Sequence, residues 1–379
     1  MRIAMVGTRG VPASYSGFET CVEEVGARLV ERGHEVTVYC RSHHVRYDAP
    51  TYRGMRLVKL PTIPNKYLDT IVHTALSCLH LLPRRCDVAM MFIVGNSPLA
   101  LVPRLGGKRV ALNVDGLDWQ REKWPPAAKR YLRLAERLAT RLPHAVVTDS
   151  RVIEGYYLER YGLRTHYIPY GTAERLLPPD GTLERLGLEP RKYVLYVGRL
   201  VPENCIHHLV DAFARLETDL KCVVVGDAPY VDDYIADLKR RAGPNVIFPG
   251  YLFGDGYWEL NSNAYAYAFP KEASGTHPAL LEAMACGNCV IANDTPSNLE
   301  TGGDAILFYR GAAGADDLAR QLRAVLADPE LVAEYGRRAR RRVAERYSWE
   351  RVTDDYEALF RELLASRARP SGTGRRRAA

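Results

Sequence analysis

Short apolar runs, each ending in a polar or glycine-rich loop, recur along the chain. Arg2–Val6 is apolar with little alternation, as expected of a strand buried on both faces in a parallel sheet. The loop GTRGVPASYSGFE follows, then a helical pattern over residues 19–31 closed by Gly33, then the strand EVTVYC. This β-loop-α-β order predicts a doubly wound α/β sheet with the loop at the carboxyl end of its first strand, where such sheets bind ligands. MRLVKL, DVAMMFIVG, RVALNV and HAVVTD read as further strands. Residues 67–82 place Leu68, Ile71, Val72, Ala75, Leu76 and Leu79 at helical spacing, a stripe expected to face the core. HYIPYG ends this half, and LLPPDG after it has linker composition.

The pattern then restarts. KYVLYVGRLVPEN reads as a strand and loop, KCVVVGD, NVIFPG and AYAYAFP as strands alternating with helices, and NCVIAND as a strand after one more helix. Two successive doubly wound domains facing across a cleft are predicted, residues 1–172 and 173–345. Residues 346–365 contain YSWERVTDDYEALFREL, an amphipathic helix expected to close the second domain or cross back over the first. Residues 366–379 carry Pro, Gly and Arg without apolar periodicity and are expected to form a disordered basic tail.

Of the 379 residues, 47% are hydrophobic and 26% charged, the balance of a soluble globular protein. No apolar run reaches the ~20 residues that span a bilayer, and MRIAMVG is too short for a signal peptide, so a cytoplasmic location is expected. The net charge of +7 favours anionic partners, either nucleotide phosphates or a membrane surface. No nucleic-acid motif accompanies it. The eight cysteines stand singly except for Cys286-Gly287-Asn288-Cys289. That pair closes a helix rather than opening one, so buried structural thiols are expected there rather than a redox or zinc pair.

Candidate chemistry centres on residues 274–287, SGTHPALLEAMACG, set between two strands. Pro278 suits a first helical turn and Gly287 the position after the last. The preceding Ser274, Gly275, Thr276 and His277 lead into free backbone N–H groups at the positive end of the dipole, a site for an anion. Glu282, one turn inside, leans back toward that end. A carboxylate repels phosphate, so Glu282 is expected to accept hydrogen bonds from neutral hydroxyls such as those of a ribose. Arg199 follows YVLYVG at the carboxyl edge of the second sheet, where its planar fork suits a diphosphate.

In the first half, Gly17 precedes a helix and would let backbone approach a ligand closely. Neither a G-x-G-x-x-G frame nor a phosphate-binding P-loop is present. Asp115 ends the strand RVALNV and is placed to act as a base or hydrogen-bond acceptor. Beyond it, Trp119, Trp124 and Tyr131 interleave with Arg121, Lys123, Lys129 and Arg130. That stretch reads equally as solvated helix surface or as a loop facing a membrane or saccharide. No His/Cys/acid cluster of ligand spacing stands out near the predicted cleft, so metal-independent chemistry without a cofactor is expected.

Together these residues resemble the GT-B glycosyltransferases of retaining family 4. VGRL with VPE resembles the family's phosphate-binding strand-loop, PALLEAMACGNCVIA its most specific signature, and YSWERV its closing helix, which returns to the N-terminal domain. SGFE resembles its glycine loop, which brings Gly17 to the donor phosphates. The stretches TRGVPASYSGFET, NVDGLDWQREKW and SGTHPALLEA are similar to a bacterial subgroup of rhamnosyltransferases and related polysaccharide transferases. The resemblance implies two Rossmann-like domains, the first for acceptor and the second for nucleotide sugar. It gives Glu282 the donor ribose and Arg199 the diphosphate. Asn204 stands where the family has a lysine, and Ser274 where it has a first glutamate that grips the sugar, with Glu272 two positions upstream. Asp115 falls near the position of an acceptor-side histidine. Catalysis is thus expected from Asp115, Glu272 and Arg199, and donor binding from Gly17, Arg199, Ser274, Gly275, Thr276, His277, Pro278 and Glu282.

The implied function is transfer of a hexose, rhamnose above all, from a nucleoside-diphosphate sugar to a saccharide or lipid-linked saccharide in bacterial polysaccharide biosynthesis. Peripheral contact with the inner membrane face is compatible with it. A nucleotide-sugar epimerase of the same fold and a non-catalytic nucleotide-sugar-binding protein are the alternatives.

Overall fold

The structure, a computed structural model, describes residues 1–13, 17–65, 67–120, 124–228, 231–272 and 275–368. The chain divides into two compact units. One comprises Met1–Tyr170 with the C-terminal segment from Trp349, the other Gly171–Ser348.

The first unit is built on an eight-stranded sheet. Its strands are β1 (Arg2–Val6), β2 (Glu35–Arg41), β3 (Thr51–Tyr52), β4 (Met55–Leu60), β5 (Val88–Phe92), β6 (Arg109–Asn113), β7 (Ala145–Thr148) and β8 (His166–Tyr167), in the spatial order β3-β4-β2-β1-β5-β6-β7-β8. Only the β3–β4 pair is antiparallel. β1 lies centrally, with Ile3 opposite Val36 on one side and Val88 on the other. The chain winds outward from β1 through β2 to β4 and then crosses to β5, so the winding direction changes between β1 and β5. Apolar strand residues such as Val6, Met90 and Leu112 are fully buried, which is why these runs lack alternation. Gly7, at the end of β1, has φ 101°, and a Cβ there would lie 2.6 Å from the Phe92 carbonyl oxygen. Only glycine fits this exit from the sheet.

The C-terminal helix runs Trp349–Ala368, starting later than the expected residue 346 and continuing into the stretch expected to be tail. It packs on the helix Gly17–Glu31 within the same unit. Arg28 pairs with Glu350 at 2.7 Å and Arg32 with Glu357 at 3.0 Å. The buried Tyr356 hydroxyl accepts from Asn113 Nδ2 at 3.0 Å. Residues 369–379 lie outside the described residues. No described helix is long and apolar enough to cross a membrane.

The second unit has six parallel strands: β9 (Tyr193–Val197), β10 (Lys221–Val225), β11 (Val246–Gly250), β12 (Ala266–Phe269), β13 (Cys289–Asn293) and β14 (Leu307–Tyr309). Their order is β11-β10-β9-β12-β13-β14. The chain winds one way from β9 to β11, then returns to place β12 on the other side of β9, with Ala266 opposite Val194. The winding therefore reverses between β9 and β12. Val194, Tyr196, Leu209, Val224, Ala268 and Ile291 belong to one buried cluster around these strands. LLPPDG is not a free linker. Leu177 N–H donates to Ser262 at 2.9 Å, and Asp180 N–H donates to the buried Glu259 carboxylate at 2.7 Å. Both partners lie on the helix Asp255–Asn263.

Candidate functional site

Open α/β sheets bind ligands beyond the carboxyl ends of their strands, at the place where the winding reverses. In the second unit that place is flanked by two loops, residues 198–205 after β9 and 270–277 after β12. The first carries Arg199; the second leads into the helix Pro278–Ala285.

The Arg199 loop is braced from beneath. Its carbonyl oxygen accepts from the Tyr196 hydroxyl at 3.2 Å and from Asn204 Nδ2 at 2.7 Å. Asn204 is buried, so at the position of the family's lysine this chain has an internal brace rather than an outward charge. The Arg199 side chain is exposed. Among the described residues it makes no ion pair. Gly226 lies against the same loop: a Cβ there would meet the Gly198 carbonyl oxygen at 1.9 Å.

The helix Pro278–Ala285 begins at Pro278, after His277 in extended conformation, and Gly287 at φ 76° ends it. Its first amides have no intrahelical acceptor, and the His277 side chain does not cap them. Thr276 and His277 are buried beside this terminus. His277 Nδ1 is 3.1 Å from Lys271 Nζ, so its lone pair accepts from the ammonium, and its ring packs tilted at 46° against Phe269. This brings Lys271 to the terminus, a cation the sequence did not single out. Gly275, at φ 102°, does not present its N–H outward as expected; it donates to Ser297 Oγ at 3.1 Å and fixes the loop. Ser274 lies outside the described residues.

One turn into the helix, the Glu282 carboxylate accepts a hydrogen bond from the Tyr257 hydroxyl. Burial raises the carboxyl above its ordinary value, and the tyrosine bond opposes that rise. Glu272 is exposed. Its N–H donates to the Glu203 carbonyl at 3.3 Å, and its carboxylate lies near the Cys205 thiol, so it faces the start of the helix Ile206–Phe213. There the structure gathers Cys205, His207 and His208, with one ligand-type atom of each within 4.8 Å of the others. A second such group, His43, His44 and Asp69, occurs in the first unit. The sequence expectation that no ligand-type cluster stands near these loops is therefore corrected. Cys205-x-His207-His208 was the legible signal.

Cys286 and Cys289 are buried and free, and burial pushes both thiols up to about 12, in keeping with structural thiols.

Gly17 and Asp115 belong to the first unit. Gly17 opens the helix Gly17–Glu31, while Ser14, Tyr15 and Ser16 lie outside the described residues. Asp115 stands just past β6 at φ 56°, a left-handed conformation that costs a non-glycine residue ~1–2 kcal/mol. Its N–H donates to Asn113 Oδ1 at 3.0 Å, and Asn113 is itself held by Tyr356. Such over-determined strain clusters at ligand sites. The aromatic-basic stretch beyond it is partly anchored inward. Trp119 donates to Glu136 at 2.8 Å, and Tyr131 to the Gly95 carbonyl at 2.7 Å. Arg121 and Lys123 lie outside the described residues.

Residues 183–342 match the family model described as Glycosyl transferases group 1, and residues 1–173 match one described as a domain of unknown function, DUF1972. Alpha-maltose-1-phosphate synthase of Mycobacterium tuberculosis is 30% identical over 54% of this chain and 56% of its own, so the match spans about half of that relative's length. A Campylobacter jejuni enzyme is 28% identical over 80% of this chain and 82% of its own. It is N-acetylgalactosamine-N,N'-diacetylbacillosaminyl-diphospho-undecaprenol 4-alpha-N-acetylgalactosaminyltransferase. The fold of Anabaena HepE in complex with UDP superposes with a TM-score of 0.76 at 16% identity, covering 96% of this chain and all of that one. With its parallel sheets and reversed windings the chain has the GT-B fold, and the stretch that matches the group 1 glycosyl transferase model lies within its second unit.

Proposed function

We propose that this protein transfers a sugar from a nucleoside-diphosphate donor to a saccharide acceptor. The observation that carries the reading is the pairing, across the winding reversal between β9 and β12, of an outward Arg199 with a helix N-terminus that its own N-cap side chain leaves open. Both supply positive potential where a diphosphate leaving group gathers charge, and Lys271 adds to it. Glu282, steadied by Tyr257, is then one turn away for the ribose hydroxyls. Thr276, His277 and Pro278 shape the phosphate end of the site. Asp115 is assigned the acceptor side, as base or hydrogen-bond acceptor, and Gly17 a close backbone approach to the donor phosphates. Arg199, Lys271 and the helix terminus supply the positive charge the step needs, so no metal or cofactor is assigned to the chemistry.

A hexose with retained configuration, dTDP-rhamnose first among the donors, is the finer reading, supported by the motifs of the first loop and of residues 113–124. The undecaprenol-linked substrate in the name of the Campylobacter relative supports a lipid-linked acceptor, and with it peripheral membrane contact.

A thermal-shift panel of nucleoside-diphosphate sugars identifies the donor, because ligand binding raises apparent stability by mass action. Arg199→Ala is then tested by calorimetry. Losing a charge-assisted bond worth ~1.5–3 kcal/mol lowers nucleoside-diphosphate affinity at least about tenfold. Unchanged affinity removes the site. Incubation with donor alone separates the alternatives: conversion of the sugar without acceptor means an epimerase, and binding without turnover under any acceptor a binding protein.

A further inference from the structure

Cys205 occupies a left-handed position, φ 50° and ψ 35°, where glycine would be relaxed. A thiol is therefore held at a backbone position that penalises a Cβ, and it is held facing two imidazoles. Cys205 is buried and the two histidines are half-buried. Both rings are oriented by hydroxyls: His207 Nδ1 lies 3.1 Å from the Tyr234 oxygen and His208 Nδ1 3.0 Å from the Tyr309 oxygen. One ligand-type atom from each of the three residues falls within 4.8 Å of the others. The Glu272 carboxylate approaches the Cys205 thiol from the neighbouring loop.

We propose that Cys205, His207 and His208 bind one zinc-class divalent cation, with a fourth position open toward Glu272. The chemistry selects the metal class: one thiolate and two imidazoles suit zinc or cobalt, whereas magnesium and calcium call for oxygen shells. On binding, the Cys205 S–H bond breaks and a sulfur–metal bond forms; the proton leaves to solvent by way of Glu272, and no electron is transferred. The His43, His44 and Asp69 group is the weaker candidate, because Arg41 already pairs with the Asp69 carboxylate at 2.6 Å.

The metal would tie the start of the helix Ile206–Phe213 to the loop that carries Glu272. Any effect on donor binding through Arg199 rests on the proposed function; metal binding itself does not.

The full chain, stripped with chelator, is titrated with cobalt(II) and followed by absorption. One equivalent is expected to give a sulfur-to-cobalt charge-transfer band and tetrahedral visible bands, both abolished by zinc displacement. Cys205→Gly relaxes the backbone while removing the thiolate, so it folds and loses the charge-transfer band. His207→Gln with His208→Gln loses the tetrahedral bands, and His43→Gln with His44→Gln leaves both sets intact. The proposal is overturned by absence of the charge-transfer band in natively folded wild-type protein or by its survival in Cys205→Gly. Loss of the band in the His43, His44 variant overturns it as well.

Discussion

The Asn204 side-chain amide donates to the Arg199 carbonyl oxygen at 2.7 Å, across five residues of chain. The contact turns the loop after β9 into a closed frame, with a buried amide inside and a guanidinium outside. Loss of a buried hydrogen-bond partner costs ~1–3 kcal/mol. Asn204→Ala is expected to lower the unfolding free energy of the second unit by that amount, read as a lower urea midpoint at unchanged slope, and to weaken nucleoside-diphosphate binding, since Arg199 loses its platform. Equal stability of variant and wild type would show that the frame is not needed.

Glu282→Gln is expected to weaken ribonucleoside diphosphates while affecting 2′-deoxyribose analogues least, because it removes a carboxylate acceptor from hydroxyls rather than charge from the phosphate site. Tyr257→Phe removes the bond that opposes the burial-driven rise of the Glu282 carboxyl, so that carboxyl should titrate still higher. Nucleotide calorimetry for the first variant and carbonyl-labelled NMR titration for the second read these effects.

Glu272→Gln is expected to slow turnover strongly with nucleoside-diphosphate affinity near wild type, if its carboxylate serves the donor sugar. Transfer at the wild-type rate would assign Glu272 to the Cys205 contact alone.

Glu259 supplies a pH test of stability. Burial pushes its carboxyl up, but hydrogen bonds from the N–H groups of Leu183, Asp180 and Thr182 outweigh burial and hold it below the ordinary glutamate value. A depressed folded value means stabilisation that is present above the ordinary value and lost as pH falls through the lowered one. Glu259→Gln should therefore cost ~1.5–3 kcal/mol at neutral pH. The gap in thermal midpoint should close as the pH falls below the ordinary glutamate value and through the lowered one. A gap that persists unchanged at acid pH would contradict the ionised, hydrogen-bonded carboxylate.

Transfer is expected to survive excess EDTA, because the positive charge of the proposed donor site comes from Arg199, Lys271 and a helix terminus. Complete loss on chelation, restored by magnesium or manganese, would overturn that arrangement.

The sequence by itself determined the strands, their alternation with helices and the ends of the helix at Pro278 and Gly287. Those features are local: a buried parallel strand needs an unbroken apolar run, and proline and glycine fix φ where they stand. It also exposed Arg199 and Glu282, because each stands at a definite offset from such an end. Only the tertiary structure decided what those residues touch. β9 and β12 are neighbours although some seventy residues separate them, because the chain crosses back over its own first strand. That crossing sets the Glu272 carboxylate against Cys205. Tyr257 reaches Glu282 from another helix, and Asn204 turns inward where a lysine would point out. Cys205 adopts a left-handed conformation that no residue type announces. Periodicity misplaced the buried face of the helix Asp69–Leu81, where Leu76 and Leu79 of the expected core stripe are exposed and His73, Thr74, Ser77 and Cys78 are buried; nor does it report which loops meet, because strand pairing and crossover are long-range properties of the whole sheet.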